Sequence, residues 1–153
     1  HARAVARAVE RAKAAGAKRA VMLPVSVPSH CALMQPAALG FTQHLHKTPF
    51  RSPSIPVINN VDVAIYNEPE MIRDALARQL YCPVHWSAVV RKMASMRITT
   101  LIECGPGKVL TGLNKRIDPA LESYSLHNAP GLEQALADAA VNNSFKELNH
   151  ATE

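Results

Sequence analysis

The chain has 153 residues, 48% of them hydrophobic and 5% aromatic, enough apolar content for one core of ordinary size. That balance excludes a disordered or fibrous chain and fits an Ala/Val/Leu-rich α/β protein; no apolar run reaches the ~18 residues of a membrane span. A formal net charge of +5 fits an acidic partner without choosing between nucleic acid and protein.

Residues 2–15 put Val5, Ala8, Val9, Ala12 and Ala15 on one stripe with Arg and Lys opposite, and Gly16 follows as a stop. The spacing predicts an amphipathic helix. This Arg- and Ala-rich start has no hydrophobic signal core, which argues for a mature helix and against a transit peptide. A chain that opens inside a helix without Met is expected to be a fragment. Residues 20–25 read as a strand that Pro24 pushes toward a sheet edge or bulge. A helix is predicted from about Gln35-Pro36 to His46, with Pro36 in its first turn. Pro49, Pro53 and Pro56 then punctuate a loop before a short strand at 57–59.

Residues 68–81 read as a helix with Met71, Ala75, Leu76 and Leu80 on one face, and 87–96 as another. A buried strand is predicted at 99–103, the turn Gly105-Pro106-Gly107 leads into a helix at 108–116, and a last strand falls at 122–126. A helix at 131–139 follows, and the polar stretch from Val141 is expected to be a frayed tail. Strands alternating with helices of these lengths argue for a mostly parallel sheet covered by helices.

Three cysteines in dissimilar contexts, Cys31, Cys82 and Cys104, argue against a disulfide framework and for a reducing, cytoplasmic setting. A metal site could draw on Cys82 and His85, on His44 and His46, or on His30 and Cys31. No second CxxC or HxxxH closes a tetrahedral set, so no metal is expected. A nucleic-acid module could draw on Arg3, Arg7 and Arg11, on Lys18-Arg19, or on Arg91-Lys92. No groove-reading motif accompanies them, and a solvated helix face is the default for such runs. A basic, non-catalytic binding module is thus the alternative of a different class.

The run Val25-Ser26-Val27-Pro28-Ser29-His30-Cys31 sets a histidine between an apolar stretch and a helix, where rigid scaffolds present reactive side chains. Three later segments follow in order: Pro56-Val57-Ile58-Asn59-Asn60-Val61-Asp62, Arg78-Gln79-Leu80-Tyr81, and Glu103-Cys104-Gly105-Pro106-Gly107-Lys108-Val109-Leu110. Together they resemble the C-terminal half of the malonyl-CoA:acyl-carrier-protein transacylase family, from the first helix to about Ala139. The Val-Pro-Ser-His form resembles the free-standing bacterial enzymes more than polyketide-synthase acyltransferase domains, which remain the alternative within the family.

The resemblance implies an α/β-hydrolase-like large subdomain with an inserted ferredoxin-like small one. Residues 1–26 would be the last helix and strand of the insertion, 27–140 part of the large subdomain, and 141–153 a tail. It implies transfer of a malonyl group from malonyl-CoA to the phosphopantetheine thiol of acyl carrier protein in fatty-acid biosynthesis. His30 would be the general base, oriented by the backbone carbonyl of Gln79, and Ser29, Asn60 and Gly105 would border the substrate cleft. Lys18 and Arg19 would form a basic rim for the acidic carrier protein, and no cofactor is implied. Read without the resemblance, His30 caps a helix or fills a polar gap, Gln79 is an exposed helix residue, and Asn59 and Asn60 satisfy a turn. Gly105-Pro106-Gly107 lacks the longer pattern of a nucleotide-binding loop.

The family's nucleophilic serine stands in a Gly-His-Ser-x-Gly elbow, and no Gly-x-Ser-x-Gly occurs in these 153 residues. Its Gly-Gln-Gly-Ser-Gln segment and the arginine that pairs with the malonyl carboxylate are also absent. All three precede this region in the family order. The chain alone is therefore expected to be inert and to need the upstream half as a partner.

Overall fold

The computed structural model describes residues 1–142, so the tail expected at 141–153 lies almost wholly outside them. The chain is α/β and divides into two units, His1–Val84 and His85–Glu153.

In the first unit α1 spans Ala2–Ala14 and ends at a left-handed Gly16 with φ of 86°. The Gly16 N–H donates to Lys13 and the Ala17 N–H to Ala12, the paired closure that only a residue tolerant of positive φ completes cheaply. The apolar stripe of α1 buries none of its residues. Its helicity rests on an Ala- and Arg-rich sequence of high intrinsic propensity. Residues 20–25 form no strand, and Leu23 and Val25 are 71% and 74% exposed. An apolar run alone does not make a strand, because a strand needs a neighbour to accept its ladder bonds.

A 3₁₀ turn at Ala32–Met34 leads into α2, Gln35–Lys47, where Pro36 occupies the first turn. α3, Pro69–Gln79, packs on α2 around buried Ala38, Leu45 and Ala75. Arg73 of α3 closes the C-terminal end of α2: its Nε donates to Leu45 O at 3.0 Å and a terminal nitrogen to Thr48 O at 3.1 Å. A cation is favoured there, because the last carbonyls of a helix lack intrahelical partners. Arg73 also pairs with Glu70 and lies over the Phe50 ring. The strand predicted at 57–59 is reduced to one antiparallel bridge, Ile58 to Ile65. Asn59 holds the intervening turn, since its Nδ2 donates to Ala64 O while its Oδ1 accepts from the Val61 and Asp62 N–H groups. That role for Asn59 agrees with the turn reading.

In the second unit α4 (Trp86–Ser95) precedes a β–α–β unit of β1 (Thr100–Glu103), α5 (Val109–Ile117) and β2 (Glu122–Ser125), followed by α6 (Ala129–Asn142). β1 and β2 pair in parallel, Thr100 opposite Glu122 and Glu103 opposite Ser125. β1 forms as expected but is only half-buried, with Ile102 36% exposed, where a buried strand was expected. Among the described residues its one strand partner is β2. Val89 and Val90 of α4, Leu121 and Ala135 supply the buried apolar residues. Trp86 Nε1 donates to Oδ1 of buried Asn114 at 3.0 Å, which satisfies both polar groups. Gly131 lets α6 approach β2: a Cβ there would lie 2.1 Å from Ser125 O.

Candidate active site

His30 closes a turn with Ser29, just after Pro28, and adopts a left-handed backbone with φ of 62°. A non-glycine residue pays about 1–3 kcal/mol to stand there, and such strain persists only where the surroundings fix it. Here the surroundings are two consecutive carbonyls at the end of α3. The His30 N–H donates to Leu80 O at 2.9 Å, and ring Nδ1 lies 2.8 Å from Gln79 O.

A carbonyl oxygen only accepts, so Nδ1 carries the proton of the neutral ring and Nε2 keeps its lone pair. The side chain is exposed, which leaves Nε2 open to a reacting group. The carbonyl end of α3 carries partial negative charge, the right sign beside a ring that becomes cationic when it takes a proton.

Beside His30 lies a cavity of about 560 Å³. His30, Gln79, Asn60 and Tyr66 supply polar groups to its lining, and Val57 and Leu76 are among its apolar ones. A few convergent polar groups on an apolar wall are the usual make-up of a small-molecule site. A larger groove of about 850 Å³ runs along α2 and α3 but does not include His30. Of the residues singled out in the sequence, His30, Gln79 and Asn60 therefore share one cavity wall. Ser29 is exposed on the turn it forms with His30 and is outside that lining, and Lys18 and Arg19 are exposed.

Sequence reading missed an ion-pair cluster at the end of α3. Arg78 donates through Nη1 and Nη2 to the two oxygens of Asp62, at 2.7 and 2.6 Å, and through Nε to Asp74 at 2.7 Å. Its hydrogen bonds to Asp62, and then those to Asp74, hold the guanidinium well above its ordinary range. Tyr66 donates its hydroxyl to Asp62 at 3.1 Å; burial first, and then Asp62, push the phenol up. Both Arg78 and Asp62 fall inside segments that carried the family resemblance, which was the available signal.

Gly105 is half-buried in the second unit, on the turn between β1 and α5. The backbone N–H groups at the start of α5 are already taken: Glu103 accepts from Leu110 N at 3.2 Å and from the Thr111 N–H and hydroxyl at 2.7 Å each. Burial raises the Glu103 carboxyl, but these bonds outweigh it and hold the group below the usual carboxylate range. The protein's own carboxylate thus occupies the place a phosphate would take at this helix N-terminus.

Among the described residues no three His, Cys, Asp or Glu side chains gather as a metal site, and no helix is long and apolar enough to cross a membrane. His44 Nδ1 bonds instead to Gly40 O at 3.0 Å, and Cys31 Sγ donates to Pro28 O at 3.1 Å.

No protein-family model matches the chain. It is 53% identical over 136 residues to the malonyl CoA-acyl carrier protein transacylase of Escherichia coli K12, covering 89% of this chain and 44% of that protein. The chain is homologous to malonyl CoA-acyl carrier protein transacylases. It spans less than half the length of these curated relatives. Two solved transacylases share its fold. An acyl carrier protein S-malonyltransferase from Vibrio cholerae superposes with a TM-score of 0.79 at 53% identity, covering 86% of this chain and 43% of the other. A malonyl-transacylase solved in complex with a type II polyketide-synthase acyl-carrier protein gives 0.84 at 49% identity, covering 89% and 44%.

Proposed function

We propose that this chain is the C-terminal half of an S-malonyltransferase that moves malonyl from malonyl-CoA to the phosphopantetheine thiol of acyl carrier protein, in cytoplasmic fatty-acid biosynthesis. His30 is its general base. The observation that carries this reading is the bond from His30 Nδ1 to the Gln79 carbonyl, which leaves Nε2 as the acceptor, together with 53% identity to the Escherichia coli transacylase.

The nucleophile, a serine in the family, belongs to the part of the protein outside this chain. Nε2 of His30 takes the serine proton as the oxygen bonds to the thioester carbon; the C–S bond then breaks, and the imidazolium returns the proton to the departing CoA thiolate. In the second half the pantetheine thiol gives its proton to Nε2 and attacks the malonyl ester, and the serine oxygen leaves with that proton. The balance requires no redox group or metal.

Residues 1–26 are proposed as the end of a ferredoxin-like insertion, 27–140 as part of an α/β-hydrolase-like subdomain, and 141–153 as a tail. Asn60 and Ser29 are proposed cleft residues, supported by the cavity lining for Asn60 and by adjacency to His30 for Ser29. Gly105 is proposed on the resemblance alone. Lys18 and Arg19, exposed and basic, are the proposed rim for the acidic carrier protein.

The likeness to a transacylase solved with a polyketide-synthase carrier supports a second reading, in which the carrier serves a polyketide synthase. The test uses the protein that carries this chain at the full length of its relatives. Malonyl-CoA should add one malonyl group to it by intact mass, and the adduct should pass to a holo carrier protein. No adduct, with the protein folded, would sink the proposal, and comparing fatty-acid and polyketide carriers separates the two readings. Reversing charge at Lys18 and Arg19 should weaken transfer and spare malonyl-CoA hydrolysis; equal loss of both would overturn the docking role.

A further inference from the structure

We infer that Arg78 is a positioning residue that sets the protonation pattern of the His30 ring through the Gln79 carbonyl; the inference rests on the proposed role of His30. The ring and the backbone of His30 are both held by carbonyls of α3's last turn, Gln79 O and Leu80 O. That turn is where a helix has no further intrahelical partners and frays most readily. The direction of the Gln79 carbonyl therefore depends on what pins the turn.

Arg78, immediately before Gln79, is pinned at three points. Its Nε reaches Asp74 one turn back in α3, and its two terminal nitrogens grip both oxygens of Asp62 across 16 residues of sequence. Asp62 in turn belongs to the turn that Asn59 braces, and it also accepts the Tyr66 hydroxyl. The Arg78 and Asp62 side chains are 26% and 29% exposed, so solvent screens this pair less than a surface bridge. A planar fork on a carboxylate fixes direction as well as distance, and a lysine cannot reproduce it. The Arg78 backbone carbonyl accepts the Tyr81 and Cys82 N–H groups, so the same residue also closes the chain's exit from the helix. Asn60, from the braced turn, and Tyr66, just after it and bonded to Asp62, line the cavity beside His30, so one ion pair couples the cavity wall to the histidine's orienting group.

Arg73 supplies the control. It lies on the same helix and makes a comparable set of bonds, to Leu45 O, Thr48 O and Glu70, but at the end of α2, away from Gln79. Arg73→Gln should lower the melting temperature and leave the His30 ring as it is.

The experiment compares Arg78→Gln, Arg78→Lys, Asp62→Asn and Arg73→Gln in the full-length protein. Nitrogen-15 spectra of the His30 ring report its tautomer without substrate, and steady-state assays give kcat and KM for malonyl-CoA. The clamp predicts that Arg78→Gln and Asp62→Asn shift the ring away from the Nδ1–H form. Their kcat should fall between about tenfold and 100-fold, the usual cost of misplacing a catalytic group, with KM little changed. Arg78→Lys should fall between wild type and Arg78→Gln. Unchanged ring signals and kcat in Arg78→Gln and Asp62→Asn, with only a lower melting temperature as in Arg73→Gln, would overturn the inference. Should Arg78→Gln fail to fold, Asp62→Asn carries the test. A wild-type protein inactive on malonyl-CoA would remove the function but not the clamp, which the ring spectra decide alone.

Discussion

Two helix ends in this chain solve the same problem in opposite ways. At the C-terminal end of α3 the unpaired carbonyls of Gln79 and Leu80 accept from His30, whose second ring nitrogen stays open. At the N-terminal end of α5 the N–H groups of Leu110 and Thr111 donate to Glu103, and both carboxylate oxygens are used. In each case the helix end supplies the partial charge that suits its partner. The α5 end is saturated and therefore structural; the α3 end holds a titratable group by one atom and leaves another for chemistry.

That contrast makes predictions of graded size. The largest is at the open end. His30→Ala in the full-length protein should lower the rate of malonyl transfer by about 10² to 10⁴, the range for a general base, while an exposed side chain leaves folding intact; steady-state kinetics and circular dichroism check the two halves. A saturated polar pair should show its cost as stability. Trp86→Phe leaves Oδ1 of buried Asn114 without its donor and should destabilise the protein by about 1–3 kcal/mol in denaturant titrations.

Glu103→Gln should cost about 1 kcal/mol at neutral pH, the usual price of a lost helix cap. Its pH dependence has a definite sign. The folded carboxyl titrates below its ordinary 4.5, so its stabilisation is fully present above 4.5 and is lost as pH falls through the lower folded value. Wild type and Glu103→Gln should therefore converge in stability as the pH drops below 4.5; a gap that persists in acid would contradict the cap. The smallest effect belongs to Gln79→Ala, which keeps the backbone carbonyl and should leave the tautomer of His30 unchanged in nitrogen-15 spectra.

What the sequence disclosed follows the range of the forces involved. Helices α1 to α6 and both paired strands were legible from apolar spacing, Pro36 in a first turn, and the Gly-Pro-Gly turn. These are local signals. The strands expected at 20–25 and 57–59 were misread because a short apolar run marks a capacity for pairing and says nothing of the neighbour. α4 ends with Arg97 in the left-handed region, φ of 63°, where no glycine advertises the stop.

His30 and Gln79 were singled out through resemblance, since a backbone carbonyl leaves no trace in side-chain chemistry. The Arg78–Asp62 pair and the Glu103 cap stood inside the quoted segments and were still missed. Their partners lie 16 and 7–8 residues away, beyond the reach of helical or strand periodicity.

Whether Nε2 of His30 is free to act as the base is decided by the ring's tautomer in the wild-type protein, at a pH where the ring is neutral. Long-range nitrogen-15 spectra, with the His30 signals assigned by their loss in His30→Ala, distinguish the two ring nitrogens. A proton on Nδ1, bonded to the Gln79 carbonyl, and a bare Nε2 are expected. A ring protonated on Nε2 would contradict this, because the nitrogen required as base would then already hold a proton.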